Sequence, residues 1–402
     1  MFLFYLFALI ETWLGLLSLR GGIRFSRYVH QQVNRALPRY TPFASVIAPY
    51  RGLEDGLYEN IQALFRQDYP AYEIILVTDK ADDRSMKVMN QIVDRNVDRK
   101  MQVSIVIAGE ACDTGQKVHN LRAAIGAISA ASEVLVFVDS DARPASNWLR
   151  SLVAPLADHK LGATTGYRWF IPIHGGFASH LRSVWNASIT SSLGAAVRKN
   201  FCWGGSTAIS REKFESLQVR EGWRGTVSDD FTITRVLQKA RLPIHFVPEC
   251  MVASPGDCSF KELIEFSNRQ LKITRTYAPH LWKLVFASSF LFSLVFFGGI
   301  SLVLLRAMRG LPVRLPVIFL CLIFVLGALK SAIRWWAVSI PLRELRTQAR
   351  GHLPAHIFLW PLASFLYFCN AVAATFSRVI TWRGITYELK SPTEAVIISR
   401  EW

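Results

Sequence analysis

Short apolar runs alternate with longer amphipathic stretches between Phe43 and about Pro255. Runs rich in β-branched and aliphatic residues predict buried strands, and stretches with apolar positions at helical spacing predict helices between them. The predicted strands are Ala44 to Ala48, Glu73 to Val77, Val103 to Ile107 and Val134 to Val138, and the predicted helices are Leu57 to Gln67, Asp82 to Val97 and Val118 to Ala130. This alternation favours an α/β domain whose sheet is mostly parallel with right-handed crossovers.

A longer apolar segment precedes this domain. Phe2 to Leu19 is about the length that spans a bilayer, and Arg20, Arg24 and Arg27 follow it directly. No small-residue cleavage site follows, so we expect an uncleaved anchor. Basic residues mark the cytoplasmic side of a span, which predicts that the α/β domain is cytoplasmic, at a bacterial inner membrane or at the Golgi or endoplasmic reticulum of a eukaryote.

Three apolar segments follow Tyr277: Leu284 to Leu305, Leu315 to Leu329 with a continuation toward Ile340, and Leu353 to Phe376. Three full crossings would put basic residues of the tail on the side opposite the α/β domain, against the positive-inside rule. We therefore expect the second or third segment to be re-entrant or interfacial. If the tail contacts the catalytic domain, the number of C-terminal crossings must be even.

The stretch from Ser259 to Tyr277 combines apolar and basic positions at helical spacing just before the first of these segments. This pattern predicts an amphipathic helix in the membrane interface. We therefore expect an anchor at residues 1–20, an α/β domain at 40–258, an interfacial helix at 259–280, transmembrane helices at 281–378 and a cytoplasmic tail at 379–402.

Charge and cysteine content narrow the function classes. The 46 Lys and Arg against 30 Asp and Glu give a net charge of +16, and 51% of the residues are hydrophobic. Much of the positive charge flanks apolar segments, which favours anionic lipid headgroups over nucleic acid as the partner. The six cysteines show no CxxC spacing, so neither a zinc site nor a disulfide framework is expected. No Walker A or GxGxxG motif follows the first strand, which disfavours an ATPase or a dehydrogenase.

Polar groups follow three of the predicted strands. Asp139 and Asp141 end the strand from Val134 to Val138, at the carboxyl edge where open α/β sheets bind ligands. Two hard oxygen donors there suit Mg²⁺ or Mn²⁺ shared with substrate phosphates, although Asp residues are also common in turns. Asp79 ends the second strand and can accept hydrogen bonds from a base or ribose, or cap a turn. Lys117 opens a helix and can face a diphosphate, or be a solvated surface charge.

An ordered set of segments resembles the GT-A glycosyltransferases of families 2 and 21. The segments are SVIAPYRG, QDYPAYEIILVTD, QKVHNL, VFVDSD, GGFASHL, CWGGSTAISREKF, SDDF and ITWRGITYEL. The chain is most similar to ceramide glucosyltransferases and related bacterial lipid glycosyltransferases. The resemblance implies a GT-A fold, a UDP-sugar donor, a divalent metal and inversion at the anomeric carbon. Asp139 and Asp141 would hold the metal, and Asp79, Lys117 and Asp139 would contact the donor.

The resemblance also places a general base in TVSDDF. We assign Asp230 as the base and Asp229 as an acceptor contact or helix cap, since acidic residues also favour helix starts. Trp203, Gly204 and Gly205 form a loop that can approach the acceptor closely, with the ring stacking on a sugar or a lipid stem. A tight turn beside a core Trp explains the same pattern.

Relatives often carry (Gln or Arg)-x-x-Arg-Trp after the catalytic domain, where this chain has Arg269, Lys272 and Ile273. Both basic residues are expected to contact the donor diphosphate, the lysine more weakly because it lacks the guanidinium fork. The missing Trp disfavours a processive polysaccharide synthase, which is kept as an alternative, as is a non-catalytic lipid-binding protein. The preferred hypothesis is transfer of a sugar, with glucose first, from a UDP-sugar to a membrane lipid hydroxyl of the ceramide, diacylglycerol or hopanoid type.

Overall fold

The computed structural model describes residues 1–96, 101–343 and 352–401. Its main sheet has seven strands: β1 Ala44–Pro49, β2 Tyr72–Thr78, β3 Gln102–Ile107, β4 Val134–Phe137, β5 Ala163–Ile171, β6 Thr207–Ser210 and β7 Ile244–Pro255. The spatial order is β3-β2-β1-β4-β6-β5-β7. β6 pairs antiparallel with β4 and β5, and the other pairs are parallel. The predicted α/β fold with a mostly parallel sheet is confirmed.

Helices cover both faces of this sheet, and each of the four predicted strands lies within about one residue of its predicted bounds. The helices of the catalytic domain are α2 Leu57–Leu64, α3 Arg84–Arg95, α4 Gln116–Ala124, α5 Trp148–Val153, α6 Phe177–Thr190, α7 Arg211–Ser216, α8 Val219–Gly222 and α9 Asp229–Lys239. The three predicted helices correspond to α2, α3 and α4, and Val97, the predicted end of the second, lies outside the described residues. One apolar cluster fills each side of the sheet, because β1, β2 and β4 are buried on both faces.

Three helices are long and apolar enough to cross a membrane in the part of the chain that the structure describes: α1 Phe2–Val33, α11 Pro279–Met308 and α12 Arg314–Val338. α1 and α12 run parallel, because Gly15 packs on Leu326 and Gly22 packs on Lys330. The C-terminal ends of both helices enter the core of the catalytic domain, where Tyr28 donates a hydrogen bond to the carbonyl of Phe246 (2.6 Å). α11 leaves the domain and α12 returns to it.

The third predicted apolar segment forms α13 Leu353–Phe358 and α14 Trp360–Phe376. α14 packs on α11, on α6 and on α10 Phe260–Tyr277, so this segment begins and ends on the side of the catalytic domain. It is followed by a small antiparallel sheet of β8 Val379–Trp382, β9 Ile385–Ser391 and β10 Glu394–Arg400. We call this the tail sheet. It contacts the catalytic domain through the hydrogen bond from the Gln116 amide to the Tyr387 hydroxyl (3.1 Å), which is the condition under which the sequence predicts an even number of C-terminal crossings.

The amphipathic helix α10 begins with a capping box in which Ser259 and Glu262 exchange hydrogen bonds. Its apolar residues Leu263, Leu271 and Ile273 are buried, but protein covers them: α6 and α14 pack on the first two and the tail sheet packs on the third. That the helix lies in the membrane interface stays a prediction. Its buried apolar positions face protein because the later segments of the chain fold back onto them.

Candidate functional site

Charged side chains from four strands and two helices meet at the carboxyl edge of the main sheet. β1, β2, β4 and β5 all point toward this edge, because β5 is antiparallel to β6, which is antiparallel to β4. Asp79 at the end of β2 is 3% exposed and forms an ion pair with Arg51 (3.1 Å), which follows β1. The next strand of the edge, β4, carries Asp139 and Asp141. The edge therefore gathers the three aspartates that sequence analysis expected there.

Lys117, at the start of α4, connects two of the predicted acidic sites. Its Nζ lies 2.7 Å from Asp139 Oδ1 and 2.9 Å from Asp229 Oδ1, at the start of α9. The side chain is not a solvated surface charge, since only 16% of it is exposed. A single ammonium thus joins the β4 carboxylate to the acidic pair of SDDF, which lies about 90 residues further along the chain.

Arg168 on β5 holds the Asp-x-Asp pair together. Its Nη2 donates to Asp139 Oδ2 (3.0 Å) and its Nη1 donates to Asp141 Oδ2 (2.8 Å). The guanidinium lies over the ring of Trp203, 5.0 Å from the ring centre, and over Phe170 at 5.2 Å. Sequence analysis missed Arg168, although a lone arginine within the apolar run ATTGYRWFI was a signal for a buried charge with a partner.

The loop of Trp203, Gly204 and Gly205 packs against the charged side chains of the site. Trp203 is 7% exposed and supports Arg168, so its ring is a core contact beneath the guanidinium. The two glycines bring the backbone against the charged groups: a Cβ on Gly204 would meet Lys117 Nζ at 2.8 Å, and one on Gly205 would meet Asp139 Oδ2 at 2.8 Å. The structure thus favours close backbone packing over the predicted acceptor contact by Trp203.

Asp229 and Asp230 have different surroundings. Asp229 is 2% exposed and both of its oxygens lie within 3.1 Å of Lys117 Nζ. Asp230 is half-buried, and its Oδ1 accepts hydrogen bonds from the Ser228 hydroxyl and from the amide of Phe231 (2.7 Å). It remains close enough to Lys117 for its charge to raise the pKa of that lysine. The residue assigned as base therefore borders the network without being part of it.

Electrostatics differ among the three members of the Lys117 network. Burial alone would lower the pKa of Lys117, but Asp139 and Asp229 raise it well above its usual range. Burial also opposes ionisation of Asp139, yet Lys117 and Arg168 together hold its pKa below the ordinary value. Asp229 shares one cation, and burial raises its pKa from 3.8 to about 6 despite Lys117. Two carboxylates stabilise the charged form of Lys117. Asp229 shares this single ammonium with Asp139, so the attraction does not offset the free-energy cost of burying its negative charge.

A cavity of roughly 200 Å³ opens in front of these groups. Its walls come from the ends of β1 and β4, the start of α4, Arg168, one face of α10 and the tail sheet. Arg269 lines it, lies over the rings of Phe266 (5.7 Å) and Trp382 (5.3 Å), and has its pKa lowered to about 10 by burial. Lys272 instead turns toward the tail, where its Nζ donates to the carbonyl of Val379 (2.7 Å). Of the two basic residues predicted to meet the donor, the structure brings only Arg269 to the cavity wall.

The tail sheet forms one wall of the cavity with Trp382, Arg383 and Tyr387. Arg383 and Gly384 form the turn between β8 and β9, with φ of 52° and 72°, the left-handed pair that tight hairpins require. Arg383 forms an ion pair with Glu54 and donates to the carbonyl of Arg51 (3.0 Å) and to Ser140 Oγ (3.3 Å), between the two aspartates of β4. The Tyr387 hydroxyl accepts a hydrogen bond from the amide of Gln116 (3.1 Å), next to Lys117.

The residues at the cavity fit a divalent cation that is bound jointly with phosphate oxygens. Asp139 and Asp141 supply hard oxygen donors, and Mg²⁺ needs only one or two protein carboxylates when a substrate supplies the rest. Within the described ranges no group of three or more His, Cys, Asp or Glu side chains has the arrangement of a metal site. Arg168 and Lys117 occupy the same carboxylates, so a bound cation would have to compete with their charges.

Comparison with known proteins gives consistent matches. Residues 3–395 match the sequence model of Glycosyl transferase family 21. Ceramide glucosyltransferase 3 of Caenorhabditis elegans is 26% identical over 125 residues, which cover 30% of this chain and 26% of the relative. An uncharacterized glycosyltransferase of Haemophilus influenzae is 26% identical over 134 residues, 33% of this chain and 50% of the relative.

Among solved structures, the mannosyltransferase PcManGT from Pyrobaculum calidifontis is 16% identical with a TM-score of 0.49 over 93% of this chain and 98% of the other. The chain spans between about a quarter and a half of the two curated relatives above. Because the family match extends over nearly the whole sequence, the chain belongs to Glycosyl transferase family 21, which confirms the resemblance and the prediction of a glycosyltransferase.

Proposed function

We propose that the protein transfers a hexose, with glucose as the first candidate, from a UDP-sugar to a hydroxyl of a membrane lipid, with inversion at the anomeric carbon. One observation supports this proposal: α10 forms one wall of the charged cavity at the sheet edge and also packs on the apolar helices α11 and α14. A lipid acceptor of the ceramide, diacylglycerol or hopanoid type is favoured because a water-soluble acceptor needs no such proximity. The partial match to a ceramide glucosyltransferase supports the same choice.

The donor would lie along the sheet edge, with its nucleotide toward Asp79 and its diphosphate toward Asp139 and Arg269. Asp79 is held in place by Arg51, which itself lines the cavity. Arg269 has no carboxylate within salt-bridge distance in the part of the chain that the structure describes, so its guanidinium is available to an anionic ligand. Lys117 bridges the carboxylates of Asp139 and Asp229 with its single positive charge.

Asp139 and Asp141 would hold a divalent cation, Mg²⁺ or Mn²⁺, which when bound supplies positive charge to the leaving diphosphate. Arg168 holds the two carboxylates close together, and Lys117 also contacts Asp139. The cation would therefore have to displace part of these ion pairs when it binds together with the donor diphosphate.

Asp230 is the proposed general base, which removes the proton from the acceptor hydroxyl. Among the described residues the hydrogen bonds to Asp230 all reach Oδ1, which leaves Oδ2 to accept a proton from the acceptor. Asp229 is less suited to this role because it is nearly inaccessible and both of its oxygens contact the Lys117 ammonium. Asp229 then positions Lys117, which lines the cavity, and packs against the glycine loop.

The catalytic domain is proposed to face the cytoplasm, since Arg20, Arg24 and Arg27 of α1 lie at its domain-proximal end. The even number of C-terminal crossings returns the tail to the same side. The proposed domain organisation follows that of the sequence, except that α1 continues to Val33 and that 353–376 returns without crossing.

The test is Asp230→Asn in membranes supplied with radiolabelled UDP-sugars, followed by organic extraction. Wild type should yield label in one chloroform-soluble species, and the variant should lose about 10²- to 10⁴-fold in rate, the usual contribution of a general base. Donor affinity should stay within about twofold, because the carboxylate acts on the acceptor proton.

The matched control is Asp113→Asn, which removes an exposed acidic residue from the loop before α4. Parallel losses of donor affinity and rate in Asp230→Asn would assign the residue to the fold. Label in precipitable polymer would favour a polysaccharide synthase, and no incorporation from UDP-glucose, UDP-galactose or UDP-N-acetylglucosamine would favour a non-catalytic protein.

A further inference from the structure

Three large apolar side chains are exposed on the catalytic domain next to the membrane helices. Ile173, Phe177 and Phe260 are 58%, 55% and 58% exposed. Ile173 lies in the loop between β5 and α6, and Phe177 and Phe260 are the first residues of α6 and α10, which follow the neighbouring strands β5 and β7. We call these three residues the apolar tip. The Cys258 amide donates to Ser179 Oγ (3.0 Å), which brings the starts of the two helices together, and exposed apolar side chains that cluster in this way mark an interaction surface.

The tip points in the direction in which α11 enters the membrane. α14 runs antiparallel to α11, because Trp282 donates to the carbonyl of Ala371 (3.2 Å) while Phe297 meets Phe365 (ring centres 5.2 Å apart). α14 runs parallel to α10, because Asn370 donates to Asn268 (2.9 Å) and Arg275 donates to the carbonyl of Thr375 (2.9 Å). The N-terminal end of α10, with Phe260, therefore points the same way as the apolar span α11.

α6 has the same direction as α10. Ser179 lies beside Cys258, whose amide donates to Ser179 Oγ (3.0 Å), and Trp185 packs on Phe266 with ring centres 5.8 Å apart. Phe177 consequently lies at the same end as Phe260. Phe177 and Phe260 therefore both lie on the side of the molecule toward which α11 extends.

The tip is built as a fixed structure. The Asp257 carboxylate accepts hydrogen bonds from three successive amides, those of Ile173 (3.2 Å), His174 (2.8 Å) and Gly175 (3.3 Å). Gly175 and Gly176 have φ of 88° and 95°, a left-handed backbone that a glycine adopts without strain. One carboxylate thus fixes the loop with its apolar residues pointing outward, so their exposure is a property of the folded loop.

A chain of contacts links the tip to the aspartates of β4. Arg182 donates to the carbonyl of Gly256 (2.7 Å), in the loop before Phe260, and lies over the ring of Phe170 at 4.4 Å. Arg168 lies over the same ring and binds Asp139 and Asp141. Arg182, Phe170 and Arg168 thus connect the loop before Phe260 to a wall of the catalytic cavity.

We propose that the apolar tip inserts into the adjacent lipid leaflet and forms the entrance through which the lipid acceptor reaches the cavity. The continuity of the tip with the membrane-spanning part of the molecule favours lipid over a protein partner. The role as an entrance rests on the proposed lipid acceptor, whereas the insertion itself does not. An inserted tip lets the acceptor headgroup move sideways into the site while its acyl chains stay in hydrocarbon, which avoids exposing those chains to water.

The first experiment measures depth on the full-length protein in proteoliposomes. The four cysteines that are not buried, 112, 258, 321 and 369, are replaced by serine, and Phe177→Cys, Phe260→Cys or the control Ile107→Cys is spin-labelled. Ile107 is 45% exposed at the end of β3, on the opposite edge of the sheet. Labels at the tip should collide more with oxygen than with a water-soluble nickel chelate, and the control label should show the reverse.

Water-like accessibility at positions 177 and 260 would overturn the proposal, and so would dipolar broadening between labels of two protein copies, which would assign the tip to a dimer interface. These readouts do not depend on transfer activity. A protein that inserts its tip but glycosylates no lipid would refute the proposed function and the entrance role, and leave the insertion established.

The second experiment compares two acceptors with the double variant Phe177→Ser/Phe260→Ser. With a long-chain lipid acceptor in bilayers kcat/KM should fall about tenfold or more, a fraction of the apolar transfer free energy of two phenyl rings. With a short-chain, detergent-dispersed acceptor of the same headgroup the loss should stay within about twofold. Equal losses with both acceptors, or an equal loss in Ile107→Ser, would contradict an entrance at the tip.

Discussion

Replacing Asp229 by Asn is expected to remove a pH dependence of stability that the wild type carries. Burial raises the pKa of Asp229 from 3.8 to about 6 although Lys117 lies 2.9 Å away. A carboxyl with a higher pKa in the folded than in the unfolded state binds its proton more tightly when folded. The folded state therefore gains stability as the pH falls through about 6 toward 3.8, and lacks this contribution above pH 6.

The magnitude follows from the shift. A rise of about two pKa units corresponds to about 3 kcal/mol when the pH is low enough to protonate the folded state fully. Between about pH 7.5 and pH 5.0 only part of this is realised, and the linkage relation gives about 1.4 kcal/mol. Because Asp229 is 2% exposed, solvent screening does not reduce the figure further.

The assay is reversible unfolding of purified protein in detergent at these two pH values, with a chelator present and no donor. On going from pH 7.5 to pH 5.0, the unfolding free energy of the wild type should rise by about 1.4 kcal/mol more than that of Asp229→Asn. Titrating groups that do not interact with Asp229 cancel in this comparison. Asp68→Asn, which removes an exposed carboxylate from the same domain, is the control and should keep the wild-type difference. An unchanged difference in Asp229→Asn would refute the account of Asp229 as an under-compensated buried charge.

Two further changes test the packing of the site. Gly204→Ala should destabilise the fold by about 1–3 kcal/mol and lower transfer activity, because the new methyl group would meet Lys117 Nζ at 2.8 Å. Its control in the same unfolding and transfer assays is Gly298→Ala, where a Cβ meets nothing within 4 Å. Arg383→Ala should raise the KM for the donor about tenfold, because the variant loses hydrogen bonds to polar groups of the cavity wall. The control Arg378→Ala, in the same tail, should leave the KM within about twofold of the wild-type value. Equal effects of the paired variants in either series would remove the specific role assigned to the first.

The sequence was sufficient to predict the parts of the site that lie next to an unambiguous strand. The run from Val134 to Val138 is buried on both faces, so its end and the two aspartates could be assigned to the sheet edge without a structure. Asp79 and Lys117 followed from the same rule. The sequence indicated that basic side chains would lie beside these aspartates, because clustered carboxylates need positive charge nearby. It did not indicate which basic residues these would be.

Arg168 illustrates why identity was out of reach. Its partners lie 27 and 29 residues earlier on a strand that is not its neighbour, since β6 lies between β4 and β5. A local pattern contains no information about such a pairing. The sequence could not determine where the Lys272 side chain lies, for the same reason. Lys272 is about one helical turn from Arg269. The packing of the tail sheet determines that Arg269 lines the cavity and that Lys272 contacts Val379.

Charge counting left the membrane topology open, because basic residues at both ends of the C-terminal segments gave conflicting indications. The sequence could not supply the contact between the tail and the catalytic domain, which the hydrogen bond from the Gln116 amide to the Tyr387 hydroxyl makes. With that contact, an even number of C-terminal crossings is the prediction.

Completion of the sheet-edge cavity by the tail sheet has a consequence for biosynthesis. Residues 379–401 are synthesised after α11 and α12, and Trp382 and Arg383 reach the edge of the sheet only once the intervening helices have brought the chain back to the catalytic domain. A nascent chain, or one whose α11 and α12 failed to pair, would lack one wall of the cavity. Under the proposed function, sugar transfer therefore requires that the long apolar helices are already in place.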